Sequence, residues 1–213
     1  MTLSSTFSDI FKESQGRQVL ITTISTNISR MFQIIDAATK HGRKIVLVGR
    51  SIEQSVSVAR RLGYLPFPED AFVKDGESSK YPQGDIAYLI AGCYGQEGSA
   101  LARLSRGEHE TVKLGENALV VFSADPNPPG VEFDVERVMS ALTISGAEIL
   151  YSKIQNNLHV SGHGAKGDLM VVAALTKAKY FIPIGGTITR MRAYTNMLKE
   201  LGIAKDRVFE CME

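Results

Sequence analysis

An α/β architecture built on a mostly parallel, doubly wound sheet follows from three features of this chain of 213 residues. Apolar runs with strand character alternate with amphipathic stretches of helical period from residue 17 almost to the end. Several of the strand-like runs, KIVLVG at 44–49 foremost, are apolar at successive positions, as strands covered on both faces are. The joints between the two kinds of segment carry helix caps and glycine stops, so strand and helix follow each other in Rossmann-like order.

Taken in order, RQVLITT (17–23) reads as the first strand. NISRMFQIIDAATKHG (27–42) follows as a helix with Ile28, Met31, Ile34, Ile35 and Ala38 on one face, Asn27 as N-cap and Gly42 as stop. KIVLVG is the second strand and SIEQSVSVARRLG (51–63) the helix after it, with Ser51 as cap and Gly63 as stop. Residues 64–84 hold three prolines and a polar cluster and read as loop. The ladder resumes with strands at 85–92, 117–124 and 147–152 and helices at 98–107 and 131–146. A helix at 167–177, a strand at 178–186 and a helix at 188–202 close the chain, after a weak seam near 153–160. The expected division is 1–155 and 156–213.

Composition limits the function classes. The chain is 44% hydrophobic and 22% charged with a formal net charge of +1, values of a soluble globular protein. No apolar run approaches the roughly 18 residues of a membrane span. The start, MTLSSTFSDIFKES, is polar and lacks the pattern of a secretory signal. Two distant cysteines, Cys93 and Cys211, point to a reducing compartment, so a cytoplasmic location without membrane association is expected.

In an open parallel sheet ligands bind beyond the carboxyl ends of the strands, where backbone N–H groups and helix starts face anions. The residues that follow the strands here are Ser25, Thr26 and Asn27; Gly49, Arg50 and Ser51; Gly92 to Glu97; Ser123, Ala124 and Asp125 with PNPPG; SGHG at 161–164; and GGT at 185–187. Small residues, hydroxyls, an arginine and a histidine on one edge suit a phosphate. Gly49-Arg50-Ser51 reads first as a tight turn with a serine cap, and PNPPG as a rigid turn. His163, flanked by Gly162 and Gly164, has no side-chain neighbours in sequence to pack against, and a histidine there can donate to phosphate, shuttle a proton or bind metal. His41 and His109 read as surface residues and His159 as a strand position. The chain has no P-loop, dinucleotide fingerprint, H-E-x-x-H or G-x-S-x-G motif, and its four histidines are scattered, so no metal site is expected.

The order of the pieces resembles the β-CASP region of the ribonuclease J family, RNA-processing nucleases of the metallo-β-lactamase superfamily. ITTISTNISRMFQ…VLVGRS is similar to the family's T-F-A-S-N-I-H-R and G-R-S-M segments, and AGCYGQEGSALARLSRGEH to T-G-S-Q-G-E-P-x-S-A-L-x-R-M. FSADPNPPGVE is similar to S-S-S-P-I-P-G-N-E, VSGHGAKGDL to V-S-G-H-A-S-Q-E-E-L, and KAKYFIPIGGTITR to K-P-K-Y-F-I-P-V-H-G-E-Y-R.

The resemblance implies a β-CASP domain whose C-terminal α/β segment returns toward the metallo-β-lactamase fold. It implies single-stranded RNA as partner, with Asn27, Arg50, Ser51, Gly92, Gly95, Ser123, Ser161, Gly162 and His163 contacting RNA phosphates and His163 beside the scissile phosphate as the catalytic position. The family's H-x-H-x-D-H metal segment is absent, so zinc is expected in the full-length family enzyme and no cofactor in this chain, which is not expected to cleave RNA alone. The family's P-V-H-G-E histidine and glutamate align with Gly185 and Thr187. The serine two positions after the motif histidine aligns with Ala165, the histidine of N-I-H-R with Ser29, and the glutamate of G-S-Q-G-E with Gln96. Further expected partners are a metallo-β-lactamase half or homologue and a second copy of the chain. Two other readings stand beside this one: a non-catalytic subunit that pairs with an active homologue, and an α/β enzyme or binding module for a small phosphorylated ligand with His163 as acid or base.

Overall fold

The computed structural model describes residues 3–124, 130–152, 158, 164–184 and 186–211. Two compact units make up the chain, Met1–Val160 and Ser161–Glu213.

The first unit opens with helix α1 (Leu3–Glu13), where a polar start was expected. Phe7, Ile10 and Phe11 recur at helical spacing and are fully buried, and these apolar side chains outweigh the serines and threonines around them. Then come β1 (Val19–Thr22), α2 (Ile28–Lys40), β2 (Lys44–Val48), α3 (Arg50–Arg61), the two-residue β3 (Phe72–Val73), β4 (Ile86–Ile90), α4 (Ala100–Ser105), β5 (Leu119–Phe122), α5 (Glu132–Ile144) and β6 (Glu148–Leu150). The six strands form one sheet in the order β3-β2-β4-β1-β5-β6, every pairing parallel. The α/β, doubly wound expectation holds. The 64–84 stretch is mostly short 3-10 turns, but it also supplies the edge strand β3, whose Phe72 and Val73 pair with Ile45 and Val46.

Side-chain alternation along the parallel strands sorts the core into two layers. Val19, Ile21, Ile45, Ala87, Leu89 and Val121 face the buried stripes of α1, α2 and α3. Leu20, Val46, Val48, Tyr88, Ile90 and Val120 face α4 and α5. The sheet therefore lies between two helical layers, and both of its faces are dry.

Caps follow the sequence in one case and depart from it in another. The Asn27 side chain accepts from the Arg30 N–H at 3.0 Å and caps α2 as expected. Ser51 does not cap α3: the helix begins at Arg50 after Gly49, whose φ of +106° turns the chain out of β2 one residue early. The Ser51 hydroxyl is thereby left out of the capping pattern.

The second unit holds α6 (Lys166–Thr176), α7 (Ile188–Glu200) and a 3-10 turn at Lys205–Arg207. Ala173, Phe181, Met197 and Leu198 form its small core. The strand expected at 178–186 is replaced by one parallel bridge between Phe181 and Val208. A strand requires a neighbour along its length, and among the described residues the pairing is limited to the short run after the last turn; Pro183 also removes a donor.

Candidate strand-end cleft

The chain leaves β1 toward one helical layer and leaves its neighbour β4 toward the other. By the right-handed crossover rule those two connections diverge and open a crevice at the carboxyl ends of the strands. A cleft of about 730 Å³ lies there. Thr23, Ile24 and Ser25 border it after β1, Gly49, Arg50 and Ser51 after β2, and Ala91 to Ala100 supply most of the wall after β4. Glu53, Asp75, Arg103 and His109 to Thr111 complete its lining.

Two glycines allow the turns beneath the cleft to approach each other. A Cβ on Gly49 would lie 2.8 Å from the Cβ of Ala91 and 3.3 Å from that of Ala100. Gly92, with φ of +122°, would drive a Cβ into Ser99, whose hydroxyl accepts from the Ala102 N–H and caps α4. Both positions need positive φ and lack of side chain together.

Of the residues singled out from sequence, the structure brings Arg50, Ser51 and Gly92 together at this cleft. Arg50 and Ser51 are exposed, and among the described residues Arg50 forms no ion pair. Asn27 serves as the α2 cap. Gly95 is buried with φ of +69°, and a Cβ there would run into the Asp134 carbonyl of α5. Ser123 is 2% exposed and its hydroxyl donates to the Leu158 carbonyl at 2.8 Å. Ser161, Gly162, His163, His159, Asp125 and Gly185, with most of the PNPPG turn, lie outside the described residues.

Three residues in or beside the cleft escaped sequence reasoning. Arg30 is buried, and its Nη1 donates to the Ser123 carbonyl (3.1 Å), the Ser123 hydroxyl (2.5 Å) and the Leu158 carbonyl (2.9 Å), while burial pulls its pKa below the ordinary arginine value. Its signal was a charge placed four residues before the core residue Ile34. Arg103 lines the cleft, and its Nε is buried without a hydrogen-bond partner among the described residues. His109, expected at the surface from its polar surroundings, is only 6% exposed. The Val112 N–H donates to its Nδ1 at 3.3 Å, and burial first, then the Arg103 charge, lowers its pKa. The ring is therefore neutral near pH 7, with its proton on Nε2. His41 is half-buried, its Nε2 within 2.9 Å of the Ser8 hydroxyl. Cys93, in the cleft wall, has its thiol pushed up to about 12 by burial and remains protonated.

Residues 15–142 match the family model described as "Ribonuclease J, beta-CASP domain". The chain belongs to that family. It is similar to Ribonuclease J of Helicobacter pylori, at 34% identity over 208 residues that make up 98% of this chain and 30% of the relative. It is similar also to Ribonuclease J2 of Bacillus subtilis, at 32% over 207 residues (97% of this chain, 37% of the relative), and to Ribonuclease J of Mycoplasma genitalium, at 34% over 199 (93% and 35%). The chain thus spans roughly a third of the length of these curated relatives. In this ribonuclease J β-CASP unit the lining of the strand-end cleft falls wholly inside the matched residues, whereas the Ser161–His163 motif lies C-terminal to them.

Among the described residues no group of three or more His, Cys, Asp or Glu side chains is placed to hold a metal ion, so the described part of the chain does not fit a zinc site. No described helix is long and apolar enough to cross a membrane.

Proposed function

We propose that this chain is the RNA-binding β-CASP portion of a ribonuclease J-like, metal-dependent nuclease, that it positions the backbone and 5′ phosphate of single-stranded RNA, and that it does not cleave RNA alone. The observation that carries the reading is the strand-end cleft, which sets Arg50, Ser51 and the side-chain-free Gly92 at the divergence of β1 and β4 inside the family-matched region. An arginine fork and a hydroxyl suit phosphate oxygens, and a glycine lets a sugar–phosphate backbone come close.

In this reading residues 1–155 are the β-CASP domain and 156–213 the segment that returns toward the metallo-β-lactamase fold. Ser161, Gly162 and His163 contact the RNA phosphates, with His163 beside the scissile one. Asn27, Gly95 and Ser123 shape the walls from behind. Zinc belongs to a metallo-β-lactamase half of the nuclease, and the assembled protein works in the cytoplasm.

A protein partner for the second unit is favoured by its surface. Leu175 is 77% exposed and Ile184 88%, with Val171, Val172 and Ile182 also exposed. Apolar side chains so numerous on 53 residues suit burial against another polypeptide, whether the metallo-β-lactamase half, an active homologue to which this chain is a non-catalytic subunit, or a second copy.

The test is titration of a 5′-monophosphorylated single-stranded RNA and its 5′-hydroxyl twin into the purified chain and its His163→Ala variant, with cleavage followed in the presence of metal. The expected result is binding that falls with salt, weakens in the variant and prefers the phosphorylated end, without cleavage. Tight mononucleotide binding with no RNA binding would instead support the small-ligand reading.

A further inference from the structure

We infer that Arg103 and His109 form a phosphate-binding subsite in the wall of the strand-end cleft, a site separate from the His163 motif that takes one phosphodiester of an RNA chain. The inference rests on the RNA-binding reading for the source of the phosphate, but its chemistry is set by the two side chains themselves.

Arg103 comes from α4. It is half-buried, its Nε is wholly buried, and among the described residues nothing accepts from it. Neither does any described carboxylate pair with it, although Arg106, three residues on, pairs with Glu108. A buried charged donor without an acceptor is unfavourable on its own, and an oxyanion is the group that relieves it most strongly. His109 supplies the second donor. With Nδ1 accepting from the Val112 N–H, the neutral ring carries its proton on Nε2, and His109 lines the same cleft. Both residues border the same cleft, and the Arg103 charge is among the causes that lower the His109 pKa, after burial.

Three carboxylates, Glu53, Asp75 and Glu110, also border the cleft. Asp75 already accepts from the Gly76 N–H (2.7 Å) and the Thr111 hydroxyl (2.9 Å). Glu53 and Glu110 are exposed, where water and salt screen them, while the half-buried Arg103 is screened far less. Arg50 adds a second cation at the same cleft. A fork, a neutral N–H donor and a nearby cation make a site for a phosphate diester.

The full chain, its Arg103→Gln variant and its Arg103→Lys variant are compared with two probes. Inorganic phosphate is followed by the NMR signals of the His109 ring, and a 5′-hydroxyl single-stranded RNA is titrated at stepped salt. The expected results are a saturable, Arg103-dependent shift of the His109 signal and, in Arg103→Gln, RNA binding weakened by about tenfold or more. The slope of log affinity against log salt should fall by about 0.7 in that variant, whereas Arg103→Lys should keep the slope and lose affinity. If folded Arg103→Gln binds RNA with unchanged affinity and slope, the subsite is overturned and the RNA-binding reading stands. If the unmodified chain binds no RNA but phosphate still moves His109 through Arg103, the subsite stands and RNA is not its source. Should Arg103→Gln fail to fold, the unmodified chain decides: a His109 signal indifferent to phosphate refutes the subsite.

Discussion

Replacing Arg30 by methionine tests whether a buried cation, with no carboxylate partner among the described residues, holds the end of β5 to Leu158. The three acceptors of its Nη1 share two protons, so the loss is about two charge-assisted hydrogen bonds, at about 1.5–3 kcal/mol each. Two effects reduce the total. The Ser123 hydroxyl still donates to the Leu158 carbonyl and the Thr23 hydroxyl to the Ser123 carbonyl, so neither carbonyl is orphaned. Methionine is also easily buried, whereas the desolvated guanidinium was not. The expected destabilisation is about 3 kcal/mol, or a fall in Tm of about 6–12 °C at about 2–4 °C per kcal/mol. Urea unfolding by circular dichroism should show a lower midpoint at unchanged slope. Arg30→Lys should lose less, because a point charge keeps one of the contacts. A loss below about 1 kcal/mol for Arg30→Met would mean that the network is a consequence of the packing and does not hold it.

Phe11→Ala should cost about 3–5 kcal/mol in urea unfolding, since the ring is fully buried between α1 and the sheet; a loss under about 1 kcal/mol would show α1 to be dispensable. A thiol reagent at neutral pH should modify the exposed Cys211 rapidly and the buried Cys93 only on unfolding, and prompt reaction of both in the native chain would contradict the packing of the cleft wall. The lowered pKa of folded His109 makes the unfolded state the better proton acceptor below about pH 6.5. Its contribution is therefore complete above that value and lost as pH falls through the window beneath it. Unfolding midpoints across that window should drop less steeply in His109→Gln, and parallel profiles would refute the assignment.

The regular elements were legible because their signals are local. Periods of two and 3.6, the Asn27 cap and the glycine stops all act between residues a few positions apart, and the strand-end positions of Arg50, Ser51 and Gly92 follow from them. α1 was missed because its apolar positions are few and embedded in serines and threonines. Ser51 was misread as a cap because the positive φ of Gly49, required by the contact with Ala91, starts the helix one residue early. The 178–186 run looked like a strand by composition alone, and composition does not supply a pairing partner.

What the chain order established was the architecture, the strand-end edge and the family resemblance, because strand and helix propensities and ordered motifs are written into neighbouring residues. Tertiary packing alone revealed the roles of Arg30, Arg103 and His109. Each looks like a surface residue by type, and each acquires its function from groups far away in sequence: Arg30 from acceptors at 123 and 158, Arg103 and His109 from a cleft whose other walls come from residues 23–25, 49–51 and 75. Burial and the loss of hydration that gives a polar side chain its chemical role exist only once those distant walls close around it.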